Sequence, residues 1–471
     1  MLDRRWLAPL AAALLATTGC AHRGAAWSPG EARVLHVIAG DAATTSARFN
    51  VQAPGGGVVE AVLRGDGGEH AASATVDPAR GHAVLAFEGL SPAAGYTLWI
   101  DGERRGATRT LPDDPASPLR LAFVSCFNSR QDTVTLWVEG ERVRVPNHQL
   151  WPVLAAEDLD ALFLIGDRFY LPNPHEAYDG MSEDEARALF ARHHDEMLAI
   201  PHVAGLLASV PTYVIWDDHD FGPNDSASNF RFKHIAMEAL ELAYANPPMG
   251  EPGNAGCYFA KSFGPRVDAF FLDDRMHRDC AGRMNKKHDG TKELLCRPDT
   301  VRQEDGTYLP EPLLENCFGP RQMQWLRDGL LASTADVKLV IGGGQFLSNN
   351  HPWEAWYHFA EREEFLGWLE QTRVPGVVFV SGDRHHGEIG RLASRGAYPL
   401  HEITASGIGV STFGPDEDTP QSPYDVLGPM ATVHHYGLIE VEPAEGLVRL
   451  RLMGMEGEIN ALELGFDALR P

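Results

Sequence analysis

The sequence predicts an α/β domain preceded by an all-β domain. Short apolar runs, rich in β-branched and aromatic residues and typical of fully buried strands, alternate with helical patterns in the larger part of the chain. Five of these runs end in carboxylate, thiol, imidazole or amide side chains, at residues 121–126, 161–167, 212–219, 338–345 and 377–385. Ligands of open α/β sheets bind outside the carboxyl ends of such strands. The repetition therefore predicts a metal-centred active site.

The all-β domain is predicted at residues 31–115. Apolar and polar residues alternate there in short segments separated by Gly, Pro and Asp, at residues 47–51, 58–63, 82–87 and 96–100. This pattern is typical of an antiparallel β-sandwich of immunoglobulin or fibronectin type. A proline-rich linker at residues 111–118 leads into a catalytic domain that we place at residues 119–471.

Two helices within the catalytic domain are marked by local signals. Ser182 and Glu185 form a capping-box pattern that predicts a helix to about Ile200, before Pro201. A second amphipathic helix is predicted at residues 322–331. The polar, cysteine-bearing stretch at residues 276–320 lacks periodicity, so we expect a long excursion or lid rather than core.

The overall composition is that of a soluble globular protein with an acidic balance. Of the 471 residues, 44% are hydrophobic and 22% are charged, and the formal net charge is -25. Such a charge repels polyanions, which argues against nucleic acid as the main partner. It is compatible with a phosphate-ester substrate if bound cations reverse the sign of the local field.

The first twenty residues are predicted to be an export signal. Arg4 and Arg5 precede a short apolar stretch that ends near Ala16, and Cys20 follows in the position of a lipidated cysteine. This layout resembles a bacterial lipoprotein signal and lipobox at residues 1–20. We expect an exported protein that faces the periplasm or cell exterior and contacts the membrane only through a lipid on Cys20. An ordinary cleaved signal and a twin-arginine signal remain alternatives, and the oligomeric state is left open.

Export changes how the remaining cysteines are interpreted, because disulfides persist outside the cytoplasm. Cys126 ends the first of the five runs. The other four predict one or two disulfides or buried free thiols, with the pairing open: Cys257, Cys280, Cys296 and Cys317.

Hydrolysis of a phosphate ester needs a nucleophile at neutral pH and compensation for the phosphate charge. A pair of metal ions supplies both, since it lowers the pKa of a bridging water and clamps the phosphoryl oxygens. Such a site needs a bridging carboxylate, further ligands for each metal and a proton donor near the leaving group. The five runs provide candidates for each role.

Four motifs occur in order along the chain. They are Gly-Asp-Arg-Phe-Tyr at 166–170, Trp-Asp-Asp-His-Asp at 216–220 with Asn224 and Asp225, Leu-Asp-Asp-Arg at 272–275, and Ser-Gly-Asp-Arg-His at 381–385. This ordered set resembles that of PhoD-type alkaline phosphatases, which belong to the calcineurin-like metallophosphoesterases. The resemblance covers nearly the whole mature chain. It implies a four-layer α/β/β/α sandwich after the N-terminal β-sandwich.

The resemblance also implies a metal centre that contains Fe³⁺ and Ca²⁺. Asp167 would bridge the metals. Cys126, Tyr170 and His385 would ligate the ferric ion, because thiolate and phenolate suit Fe³⁺. The calcium side would use the oxygen donors Asp218, Asp383 and Asn224. Zn²⁺ and Mn²⁺ remain alternatives.

The same family resemblance also implies roles beyond metal binding. His219 would lie beside the phosphate as general acid or electrostatic stabiliser, with Asp167 as the second catalytic residue. Arg168 and Arg384 depart from the family pattern, and we expect one or both to clamp the substrate phosphate, alongside Asn224. For each arginine an outward salt bridge is the alternative. Gln345 has an open role.

The sequence therefore predicts an exported metal-dependent phosphoric ester hydrolase, similar to alkaline phosphatase D, in which a metal-activated hydroxide releases phosphate. Two alternatives stay open. One is a phosphodiesterase or phospholipase D-like activity on lipid or teichoic-acid type substrates. The other is a catalytically inert surface binding protein.

Overall fold

The structure is a computed structural model that describes residues 33–471, except residues 174, 287–291, 297, 305–307, 349–354, 394 and 415–423. The predicted signal at residues 1–20, including Cys20, lies outside the described residues. Within those described ranges, every helix is too short or too polar to cross a bilayer.

The chain begins with an antiparallel β-sandwich, as predicted. Its strands are β1 (His36–Ala42), β2 (Ser46–Gln52), β3 (Gly57–Gly65), β4 (Gly68–Val76), β5 (His82–Glu88), β6 (Gly95–Ile100) and β7 (Glu103–Arg109). One sheet has the order β1-β2-β5 and the other the order β4-β3-β6-β7. Alternate residues of both sheets form a separate apolar core that includes Phe49, Leu63, Phe87 and Leu98.

The rest of the chain supplies the strands of the larger domain. In chain order they are β8 (Leu119–Val124), β9 (Thr133–Val138), β10 (Glu141–Pro146), β11 (Ala161–Ile165), β12 (Thr212–Ile215), β13 (Phe259–Phe263), β14 (Val267–Phe271), β15 (Arg283–Lys286), β16 (Lys292–Leu295), β17 (Asp299–Arg302), β18 (Tyr308–Glu311), β19 (Val337–Ile341), β20 (Val377–Ser381), β21 (Gly387–Leu392), β22 (Leu400–Ala405), β23 (Tyr424–Val426), β24 (His435–Glu442), β25 (Leu447–Gly454) and β26 (Gly457–Gly465).

In chain order, the helices of this domain alternate with groups of strands. They are α1 (Trp151–Leu154), α2 (Glu183–Leu198), α3 (Pro201–Leu207), α4 (Asp218–Phe221), α5 (Lys233–Ala243), α6 (Pro320–Ala332) and α7 (Ala360–Thr372), with short 3-10 helices at His175–Tyr178, Trp356–His358 and Phe466–Leu469. The predicted capping box is present: Ser182 caps α2, and the Glu185 side chain accepts a bond from the Ser182 N–H. The helix predicted at 322–331 is α6.

Two sheets form the centre of the catalytic domain. One has the order β12-β11-β8-β24-β25-β26 and the other the order β13-β14-β19-β20-β22-β21-β23. They pack face to face: the ring of Phe163 on β11 meets that of Phe271 on β14 edge-on, with centroids 5.0 Å apart. Every residue of the predicted strands β11, β12, β19 and β20 is buried, which explains why these runs are mostly apolar.

Parallel pairing brings the polar strand ends together. Strand β11 pairs in parallel with both β8 and β12, and β20 pairs in parallel with both β19 and β22. The carboxyl ends of neighbouring parallel strands lie at the same edge of a sheet. The predicted ligands that follow β8, β11, β12 and β20 therefore share one edge of the molecule.

The excursion at residues 276–320 contains two small hairpins, β15–β16 and β17–β18. A disulfide joins Cys280 to Cys296. Cys257 and Cys317 are buried free thiols. The described part of the chain therefore contains both of the predicted outcomes, a disulfide and buried free thiols.

The β-sandwich contacts the catalytic domain through polar side chains. Asn50 donates a hydrogen bond to the carbonyl oxygen of Leu242 (2.7 Å), and Gln52 donates to Asp195 (2.8 Å). Lys261 forms an ion pair with Asp41 at 2.6 Å. Strand β7 ends at Arg109 and β8 begins at Leu119; the division of the chain into domains at this linker stays a prediction.

Candidate active site

Four of the predicted ligands sit on strained backbone immediately after strands. The φ angles of Cys126, Asp167, Asp383 and His385 are 61°, 53°, 68° and 53°. This left-handed region is costly for residues other than glycine, about 1–2 kcal/mol each, and such strain concentrates at functional sites. The strain therefore marks the ends of β8, β11 and β20 as a candidate active site.

Three groups of potential ligands occur at this edge, each with its ligand atoms within 4.8 Å of one another. The groups are Cys126–Asp167–His385, Asp167–Asp218–His219 and Asp217–Asp218–Asp383. Asp167 belongs to the first two groups and Asp218 to the last two. A carboxylate that belongs to two such groups is a candidate for bridging two metal ions, which is the role predicted for Asp167.

The first group has the donors predicted for an iron site. The sulfur of Cys126 lies 3.5 Å from Oδ2 of Asp167, and the hydroxyl of Tyr170 lies 3.0 Å from Nε2 of His385. Burial raises the pKa of the Cys126 thiol and of the Tyr170 phenol well above their ordinary values. Burial also lowers the pKa of His385 to about 3, which keeps its imidazole neutral and able to bind a metal.

Two serine hydroxyls flank the Cys126 sulfur. Ser125 Oγ lies 3.2 Å from the sulfur and Ser406 Oγ lies 3.1 Å from it. Ser406 also accepts the backbone N–H of His385 (2.7 Å), and its own N–H donates to Nε2 of His435 (3.1 Å). Neither serine was predicted. Ser406 follows directly after the buried strand β22, a strand-end signal of the same kind as the others.

The third group lies beside a loop that follows α4. The N–H of Asp225 donates to Oδ2 of Asp218 (2.6 Å). The other oxygen of Asp218 is buried, and no hydrogen bond reaches it from the described residues. Asn224 precedes Asp225 and is half-buried. Asp217, which was not predicted, is held by the buried guanidinium of Arg275.

The chemistry of these donors fits a pair of cations. The pKa of Asp167 is raised well above its ordinary value, first by burial and then by the carboxylates of Asp218, Asp220 and Asp383. Buried carboxylates this close favour ionisation only when a positive charge offsets their repulsion. An oxygen of Asp218 without a hydrogen bond is a ready ligand for such a charge.

His219 belongs to the second group of potential ligands. Its backbone N–H donates to Oδ1 of Asp167 (3.1 Å), and its ring packs on Tyr170 with centroids 4.2 Å apart. The side chain is buried, and nothing in the described ranges hydrogen-bonds its Nδ1. The imidazole is therefore fixed by packing while one nitrogen stays available for a proton.

The two predicted phosphate clamps differ. Arg168 is buried in an ion pair with Asp220 (2.5 Å), its side chain only 4% exposed, and its guanidinium lies over the rings of Phe169 and Tyr244. This geometry does not support a substrate-facing role for Arg168, because its guanidinium is buried and paired with the carboxylate of Asp220. Arg384 is half-buried, and it stands between Asp383 and His385 in the sequence.

Other residues at the strand ends form supporting networks. Gln345 donates to Glu388 (2.7 Å) and Thr404 (3.0 Å), so its amide nitrogen is engaged away from the ligands. Asp273 accepts bonds from the Trp216 indole (2.9 Å) and from the backbone of Cys257 (2.8 Å). Through Asp273 and Arg275, the motif at residues 272–275 thus stabilises the segment at residues 216–217, next to the predicted ligand Asp218.

The larger domain is thus a sandwich of two packed sheets with potential metal ligands clustered at one edge. A family model described as PhoD-like phosphatase matches residues 121–452, more than two thirds of the chain. The chain belongs to this family and is a phosphoester hydrolase. The match confirms the resemblance predicted from the motifs.

Solved structures show the same fold. One, titled "Structure of PhoD", has a TM-score of 0.68 and 18% identity, covering 91% of this chain and 88% of that chain. Another is a purple acid phosphatase from yellow lupin (Lupinus luteus) seeds, with a TM-score of 0.56 and 10% identity, covering 92% of this chain and 74% of that chain. These likenesses confirm the predicted α/β/β/α sandwich. A search of curated proteins finds no match.

Proposed function

We propose that the protein releases phosphate from phosphate esters by direct transfer of the phosphoryl group to water. The observation that carries this proposal is the position of Asp167, which belongs to two of the three groups of potential metal ligands. A carboxylate in that position can hold two metal ions next to each other, the arrangement used for in-line displacement at phosphorus.

We propose Fe³⁺ for the group of Cys126, Asp167, Tyr170 and His385, and Ca²⁺ for the oxygen-rich side. Thiolate and phenolate favour the ferric ion, and carboxylate and amide oxygens favour calcium. When bound, such ions lower the pKa of a water and neutralise charge on the phosphoryl oxygens. Zn²⁺ and Mn²⁺ are the alternatives that metal analysis distinguishes.

We assign protonation of the leaving group and binding of the phosphate to side chains of the protein. His219, held by its N–H bond to Asp167 and by Tyr170, protonates the leaving oxygen as it departs. Arg384, which stands between the candidate ligands Asp383 and His385 in the sequence, supplies a positive charge to the phosphate. Asn224 adds a neutral polar group on the side of Asp218.

A stereochemical experiment tests direct transfer. A thiophosphate monoester, made chiral at phosphorus with two oxygen isotopes, is hydrolysed in water that carries the third oxygen isotope. Direct attack by water predicts inversion at phosphorus. Retention would show a phosphoenzyme intermediate and would overturn the proposed reaction.

We also propose that the protein is exported and anchored by a lipid on Cys20. The signal-like layout of residues 1–20 supports this, and the Cys280–Cys296 disulfide suits an oxidising compartment. Cys20→Ala, expressed in a bacterial host that processes lipoproteins, should move the protein from the membrane fraction to the soluble fraction. A wild-type protein that is soluble and unlipidated would contradict the anchor.

A further inference from the structure

One aromatic side chain stands exposed beside the candidate metal ligands. The ring of Phe413 is parallel to that of His385, with an interplanar angle of 1° and centroids 5.5 Å apart. The N–H of Phe413 donates to the carbonyl oxygen of His385 (3.2 Å). Yet the residue is 52% exposed. A large apolar surface therefore faces solvent next to a site whose other named residues are mostly polar.

The segment that carries Phe413 is fixed to a neighbouring hairpin. The N–H of Thr412 donates to the carbonyl of Thr135 on β9 (3.0 Å), and the N–H of Thr135 donates to the hydroxyl of Ser411 (3.1 Å). Gly414 lies against the indole of Trp137, so closely that an added Cβ would be 2.2 Å from its nitrogen. These contacts fix the backbone on both sides of Phe413, and the parallel ring of His385 restrains the Phe413 ring itself.

A fixed, exposed aromatic ring beside a reaction centre is suited to bind the apolar part of a ligand. Covering apolar surface is favourable in proportion to its area, and a pre-organised ring loses little conformational freedom on binding. Charged or hydroxyl-rich leaving groups gain nothing from such a surface. The ring therefore discriminates between leaving groups rather than between phosphates.

We propose that Phe413 is a specificity-determining residue that favours phosphate esters with an aromatic or other apolar leaving group. The proposal rests on the proposed phosphoester hydrolysis, and it concerns only the choice of leaving group. A purely shielding role, in which the ring protects His385 from water, predicts equal effects on all substrates. The two roles are thus separated by comparing an aromatic with a hydroxyl-rich ester.

The test measures binding and turnover in the metal-loaded full chain. Binding is measured by calorimetry for phenylphosphonate and methylphosphonate, which are not hydrolysed. Turnover is measured as kcat/KM for phenyl phosphate and glycerol phosphate. The variants are Phe413→Ala and Phe413→Leu, and the control is Leu331→Ala, which removes a comparably exposed apolar side chain (57%) at the end of α6.

We expect Phe413→Ala to lower the phenyl-to-methyl affinity ratio and the phenyl-to-glycerol kcat/KM ratio by about tenfold. Phe413→Leu keeps most of both ratios, and Leu331→Ala leaves them as in the wild type. Unchanged ratios in Phe413→Ala overturn the proposal, and so does an equal loss for both ligands of a pair. Failure of the wild type to hydrolyse either ester would instead overturn the proposed function, while the phosphonate ratio still tests Phe413.

Discussion

The hydroxyl oxygen of Ser406 lies 3.1 Å from the sulfur of Cys126. The same oxygen accepts the backbone N–H of His385. Once the Cys126 thiol has lost its proton, the Ser406 hydroxyl is the donor in this pair. A hydrogen bond of this kind favours the thiolate over the thiol. Ser406 therefore links two predicted iron ligands and stabilises the charged form of one of them.

Ser406→Ala should weaken metal binding at the Cys126 group by about tenfold to a hundredfold, the usual effect of losing a residue that orients a metal ligand. The measurement is metal affinity by competition with a chelator, together with the thiolate-to-metal absorption band. Ser333→Ala is the matched control, because its hydroxyl donates to Asp268 and accepts the N–H of Ala335, both outside the ligand groups. Equal metal affinity in the wild type and Ser406→Ala would contradict this role.

His219→Ala should keep its metals and lose rate. The side chain belongs to the site through packing on Tyr170, while the bond to Asp167 comes from its backbone N–H and survives the substitution. Loss of a proton donor lowers kcat by about 10²–10⁴-fold. Metal content and kcat are measured on the same preparation. A variant that loses metal in parallel with activity would assign His219 to metal binding instead.

The two arginines should respond differently to alanine. Arg168→Ala leaves Asp220 buried without its ion pair, which costs about 3–5 kcal/mol of unfolding free energy. Arg384→Ala should raise KM by about tenfold, the value of one charge-assisted contact to phosphate. Denaturant unfolding and steady-state kinetics on both variants separate the effects. A normal stability of Arg168→Ala with a raised KM would restore the substrate-facing role.

Much of the site could be predicted from sequence because parallel strands place their carboxyl ends at one edge. Cys126, Asp167 and Asp383 each follow a buried apolar run, so their proximity follows from the fold class. Ser406 and Asp217 were missed, although both also follow such strands. Neither residue type nor spacing showed that a hydroxyl would point at a thiol, or that one of two adjacent aspartates would pair with Arg275.

The burial of Arg168 could not be predicted either. Its position after Asp167 suggested a phosphate clamp, but Asp220 lies on a different element, α4, and meets it only in the folded chain. Phe413 likewise reaches His385 through a loop without a motif. Tertiary packing sets the direction of a side chain and the contacts between distant segments. Helix and strand periodicity in the sequence does not show either of these.

Stability should fall in acid partly through His401. Burial lowers the pKa of His401 to about 4, with Arg391 contributing. Between pH 6.5 and 4 the unfolded chain binds a proton that the native protein does not. The free energy of unfolding therefore falls as pH falls, by roughly 3 kcal/mol from this residue. His401→Asn should show a shallower loss in denaturant unfolding from pH 7 to 4, and an unchanged pH dependence would refute this assignment.

The most direct test of the account is elemental analysis of the full chain, purified without chelator from a host that exports it, next to Asp167→Asn. The shared position of Asp167 predicts that the wild type holds at least two metal ions per chain, one of them iron with calcium beside it, and that Asp167→Asn loses them. Zinc or manganese would keep the two-metal site and change its ions. A wild type without metal after reconstitution, or an Asp167→Asn variant that keeps its full complement, would contradict the bridging carboxylate on which the proposed reaction depends.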